Sequence, residues 1–143
     1  MINQKTITQA VATLLTSNLS GYQVERNPTR PDEPWKASTN TAWVGVYRGP
    51  IEYEARAIGP VPWLAEIQVI IEVQVASVTS ADDCEDRLLD AEKAVLDVIN
   101  TNRTLSGVVD MVMGYSVAYE INQDLQTYYQ AAIITVRAQA RTS

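Results

Sequence analysis

The chain has 143 residues, 46% of them apolar and 20% charged, which is the composition of one folded domain and not of a disordered tract. It carries a net charge of -6, and no run of Lys and Arg along it resembles a phosphate-gripping patch. It has no histidine and one cysteine, which excludes Ser-His-Asp and Cys-His triads, histidine metal ligands and an internal disulfide.

In chain order, the first predicted element is a helix over about 4–18. Ile7, Ala10, Val11, Leu14 and Leu15 recur at helical spacing, and Ser20-Gly21 supplies the stop. Residues 22–25 alternate as a short strand. Three prolines between Asn27 and Lys36 then impose an extended loop that carries Trp35. Residues 42–48 and 51–58 read as two strands of a hairpin about Gly49-Pro50, closed by 59–62. From Leu64 to Ala76, Ile67, Val69, Ile71, Val73 and Val75 alternate with Glu66, Gln68, Glu72 and Gln74, the pattern of a half-buried strand.

A second helix is expected over 81–100. Ser80 with Asp83 forms its capping-box-like start (Thr79 with Asp82 is the alternative), and Ala81, Cys84, Leu88, Ala91, Val95 and Val98 form its apolar stripe. Residues 109–121 alternate as a long strand in which Gly114 marks a bulge or a close approach, and Met111 and Met113 read as core filling. The last strand, 128–140, is apolar on both faces, so it is either central or covered by a neighbouring subunit. Of Tyr128 and Tyr129, at least one ring should lie outside the core or against a neighbour. The sum is an α+β fold: a mostly antiparallel, possibly mixed sheet with two helices on one face, one domain over 1–143 with a proline-rich loop at 27–36. No stretch approaches the roughly 20 apolar residues that span a bilayer, and no membrane partner is expected.

The residues that could carry chemistry read more simply as structure. Asp82, Asp83, Glu85 and Asp86 point in different directions around a helix and complement its dipole, so they do not converge on a metal. Cys84 falls on the apolar stripe as a small buried hydrophobe. Glu52 and Glu54 share a strand face near Arg48, which suits a solvated or intersubunit charged surface. With no GxGxxG, P-loop, CxxC or HExxH pattern, no enzyme activity, cofactor or metal site is expected. Trp and Tyr are the only aromatics, and such rings favour interfaces. The subunit or partner interface is assigned to Trp35, Lys36, Arg48, Glu52, Glu54 and Tyr129.

Three features together resemble the tail terminator (tail-tube completion) family of tailed bacteriophages. They are the amphipathic helix ending at Ser20-Gly21, the strand from Leu64 to Val73 running into the acidic-capped helix at Ser80-Ala81-Asp82-Asp83, and the closing strand pair 109–121 and 128–141. The resemblance spans nearly the whole chain and does not include the loop at 27–36. It implies a virion protein of the tail or neck, assembled in the host cytoplasm as a ring, usually a hexamer. Such a ring caps the tail tube, ends its polymerisation and offers the surface that joins the head connector. Its partners would be other copies of itself, the tail tube protein and the connector or neck protein, with DNA passing through an acidic lumen without specific binding. The alternatives are a head–tail connector stopper or adaptor, and a small ligand-binding α+β domain.

Overall fold

The computed structural model describes residues 2–27, 42–55, 63–123 and 127–142; the side chains of Ala55, Trp63, Asn122, Gln123 and Thr142 are not among those described. The element order is α1 (Gln4–Asn18), β1 (Tyr22–Arg26), β2 (Ala42–Ala55), β3 (Trp63–Ser77), α2 (Ala81–Thr101), β4 (Met111–Gln123) and β5 (Tyr128–Thr142). The five strands form one sheet in the order β1-β2-β3-β5-β4. All neighbours are antiparallel except β1 and β2, so the fold is α+β with a mixed, mostly antiparallel sheet.

Each helix is set by the residues that begin it. The Asn3 side chain accepts from the backbone N–H groups of Lys5 and Thr6, which occupies donors that the first turn of α1 would leave unpaired. Ser80 does the same for α2 by accepting from Asp83 N–H at 3.0 Å. Asp83 does not complete a reciprocal capping box: its carboxylate accepts instead from the Ser77 hydroxyl, which ties the helix start to the end of β3.

Both helices cover the same face. Ile7, Val11 and Leu15 of α1 join one core with Cys84, Leu88, Val95 and Ile99 of α2. The sheet contributes the odd residues 65–75 of β3 and Ala132, Ile134, Val136 and Ala138 of β5. α1 lies over β1 and β2, and α2 over β3 and β5. α2 carries the chain from β3 to β4, which run in the same direction, and β5 then inserts between them. The last strand is therefore central, which accounts for its two apolar faces.

The hairpin expected at Gly49-Pro50 is absent, because the chain passes straight through as β2. Arg48 pairs with Val69 and Ile51 with Ile67, so three steps along β2 match two along β3 and one residue is extra. Gly49 permits this bulge: a Cβ there would lie 2.8 Å from the Gln68 carbonyl oxygen. Pro50 is exposed at the same irregularity, where its missing N–H removes no regular ladder bond.

A second bulge lies between Val112 and Gly114. Gly114, expected to mark a bulge or a close approach, lies at this bulge, and a Cβ there would also meet the Arg137 side chain at 3.0 Å. Val112 turns into the core, and Met111 and Met113, expected as core filling, are 50% and 53% exposed. Downstream, Tyr115, Val117, Tyr119 and Ile121 lie opposite Val136, Ile134, Ala132 and Gln130, on the helix side of the sheet. In the connection before β4, Leu105 and Ser106 adopt left-handed φ of 50° and 62°, followed by Gly107 at 84°. Burial of the Leu105 side chain, 0% exposed, offsets the strain of that turn.

Candidate interaction surface

Because α2 sits over β3 and β5, the outermost strand β4 extends beyond its cover. The consequence is a stripe of large apolar side chains in water. Tyr115 is 39%, Tyr119 53% and Ile121 78% exposed, with Leu89 of α2 at 44%. One polar tie anchors the stripe: the Tyr119 hydroxyl lies 2.9 and 3.0 Å from the two carboxylate oxygens of Glu92, a residue buried on α2. That hydrogen bond raises the Tyr119 phenol above its ordinary pKa. The outer edge of β4 has no strand partner among the described residues, so one row of its backbone groups is open to pairing.

The helix-free face of the sheet has two unlike ends. At one end Trp43, Glu72, Gln74, Tyr129 and Ala131 are all buried. The Trp43 indole donates to Glu25 at 3.2 Å, and Gln23 donates to the same carboxylate at 2.9 Å. At the other end Glu52 and Glu54 are exposed, and Glu52 lies directly opposite Glu66, also exposed.

The residues assigned to an interface from sequence therefore do not converge. Trp35 and Lys36 lie outside the described residues. Glu52 and Glu54 share the helix-free face, as their spacing requires. Arg48 has the same parity in sequence yet faces the helix side opposite Val69, because the bulge inverts the alternation between it and Glu52. Tyr129 is 6% exposed on the helix-free face, outside the helix-side core, and Tyr128 packs partly buried against that core.

Cys84 is 0% exposed, and burial pushes its thiol pKa up, away from a reactive thiolate. Among the described residues no group of three or more Asp, Glu, Cys or His side chains could hold a metal. Among the described residues no helix is long and apolar enough to cross a membrane.

One grouping was not legible along the chain. Lys5 of α1, Arg26 of β1 and Arg48 of β2, separated by about twenty residues each, line one depression with Gln4, Thr8 and Asn27. A linear scan for basic runs finds nothing here, because the cluster is made by the parallel β1–β2 pairing and by α1 folding back over it.

No known protein family and no curated protein matches the chain. Among solved structures it is similar to a chain from the virion of a native gene transfer agent (GTA) particle. That match covers 97% of this chain and 96% of the other, at 11% identity and a TM-score of 0.36.

Proposed function

We propose that this chain is a structural subunit of a phage-like virion, and specifically a protein of the tail terminator type. In this reading it forms a ring, a hexamer, that caps the tail tube, ends its polymerisation and presents the head-joining surface. The observation that supports an assembly role is the β4 edge. There, apolar side chains up to 78% exposed accompany an open row of backbone groups, while the core beneath is filled. Surface of that kind is costly in water and is best explained by a protein partner that covers it. A ring requires heterologous contacts, in which two different patches of each copy meet.

Sedimentation and negative-stain imaging of the purified chain at rising concentration test the reading. Closed rings are the expected result, and Ile121→Lys should weaken their formation while circular dichroism stays unchanged. A monomer at every concentration would defeat it. Co-sedimentation with purified tail tubes, and not with the head connector, separates a terminator from a connector stopper.

A further inference from the structure

The depression at the first turn of α1 gathers three cations in a chain whose net charge is -6. It is an open hollow of about 420 Å³ lined by Lys5, Arg26 and Arg48 with Gln4, Thr8 and Asn27, and among the described residues no acidic side chain contributes to its wall. None of the three cations has a carboxylate within ion-pairing distance among the described residues, where the ion pairs are Arg87–Asp83 and Lys93–Asp97. The hollow is held in shape from below: the Gln4 side-chain amide donates to the Gly49 carbonyl at 3.0 Å, and Asn27 N–H donates to the Val46 carbonyl at 2.7 Å. Three cations around one hollow, with no carboxylate paired to them among the described residues, present a surface that an anionic occupant would complement.

The complementary surface lies on the same molecule, at the far end of the strands. α1 begins beside Gly49, near the bulge of β2. α2 begins beyond the other end, where Ser77 and Tyr128 pair and where both hold its first turn, through Asp83 and Cys84. Ala42 to Arg48 alone spans about 20 Å at the usual rise of a strand. On that first stretch of α2, Asp83 turns to Ser77, whereas Asp82, Glu85 and Asp86, spaced i, i+3 and i+4, share one exposed face, and none of the three has a cation or hydrogen-bond partner among the described residues. Each copy thus carries a cationic hollow midway along β2 and an acidic helix start at one end of the strands, both on the helix side of the sheet.

We propose that the hollow of Lys5, Arg26 and Arg48 receives the Asp82, Glu85 and Asp86 carboxylates of a second copy of this chain. The contact is heterologous, head to tail, and so propagates around a ring without a symmetric counterpart. It deepens the ring reading and rests on it. The occupant is a second copy because the required charge, at matching exposure and on the same side of the sheet, is already present on the chain. The alternative occupant, the phosphates of a nucleic acid, would have to approach a molecule with an excess of carboxylates.

Charge exchange between copies tests the pairing. Arg26→Glu/Arg48→Glu and Asp82→Lys/Asp86→Lys change only exposed side chains, and circular dichroism verifies that each double variant is folded. Sedimentation should show each weakened in self-association by on the order of tenfold or more, with the equimolar mixture recovering assembly. Wild-type assembly should weaken as salt rises from about 0.05 M to about 0.5 M. If the wild type forms rings but neither variant nor salt alters them, the pairing is wrong and the ring reading stands. If the wild type is monomeric throughout, the ring reading falls and the pairing with it. If the arginine variant assembles normally but loses binding to a short DNA duplex, phosphate is the occupant and the proposal is overturned.

Discussion

Tyr119 and Glu92 form a pair in which a mostly exposed ring satisfies a mostly buried carboxylate. Tyr119→Phe keeps the ring and deletes the donor, leaving Glu92 without that partner. Urea unfolding should register a loss of roughly 1–2 kcal/mol. Asp83 makes a second residue-scale prediction. The hydrogen bond from Ser77 pulls its carboxyl below the ordinary aspartate pKa, with Arg87 adding to the effect. A depressed folded pKa means that the stabilisation is complete above the ordinary aspartate range and is lost as pH falls through the folded value. Ser77→Ala should therefore be less stable than the wild type near neutrality, and the two urea midpoints should converge in acid. Equal midpoints at neutral pH would show that the bond contributes nothing.

Gly49 and the β2 bulge belong to the scale of elements. A side chain at Gly49 would press on the Gln68 backbone at 2.8 Å, with carbonyl and not flexible side chain in the way. Gly49→Ala should lower stability by at least about 1–3 kcal/mol, measured by chemical denaturation, because two long strands would have to part or shift register. This site also shows where sequence reading reaches its limit. Gly-Pro between two alternating segments has the local signature of a turn, and nothing within those segments excludes a hairpin. What decides is the 15-residue β3, which pairs along nearly all of the 14-residue β2 once one extra residue is accommodated. Both helices and β3 were legible, since each has a full apolar stripe or alternation of its own, and the two apolar faces of β5 left a central strand and a covered edge open until the sheet order decided for the interior. The facing of Met111, Met113 and Arg48 was not, because a single inserted residue reverses every side chain beyond it.

On the scale of the molecule, the described surface carries an apolar margin along β4, a cationic hollow midway along β2 and an acidic helix start at one end of the strands. The cationic hollow was invisible in sequence, since its three members come from α1, β1 and β2 and meet only through topology. The interface residues assigned from the sequence were chosen by residue type, and residue type does not say which face a bulge leaves outward. Arg48 was among them, but its companions in space are Lys5 and Arg26 and not the neighbouring glutamates.

The parallel pairing of β1 has a further consequence. Only five residues of β1 bind it to the sheet, at an edge, through a connection of fifteen residues between Arg26 and Ala42. That edge, with α1 above it, is the segment whose detachment would break the fewest sheet bonds, so local opening of the fold should begin there. Lys5 and Arg26 would leave with it, while Arg48 would remain on β2. An anion held by all three can bind only the closed form, and each binding event would therefore latch the amino-terminal unit to the rest of the chain. Occupation of the hollow and rigidity of the edge are then one equilibrium, seen from two sides.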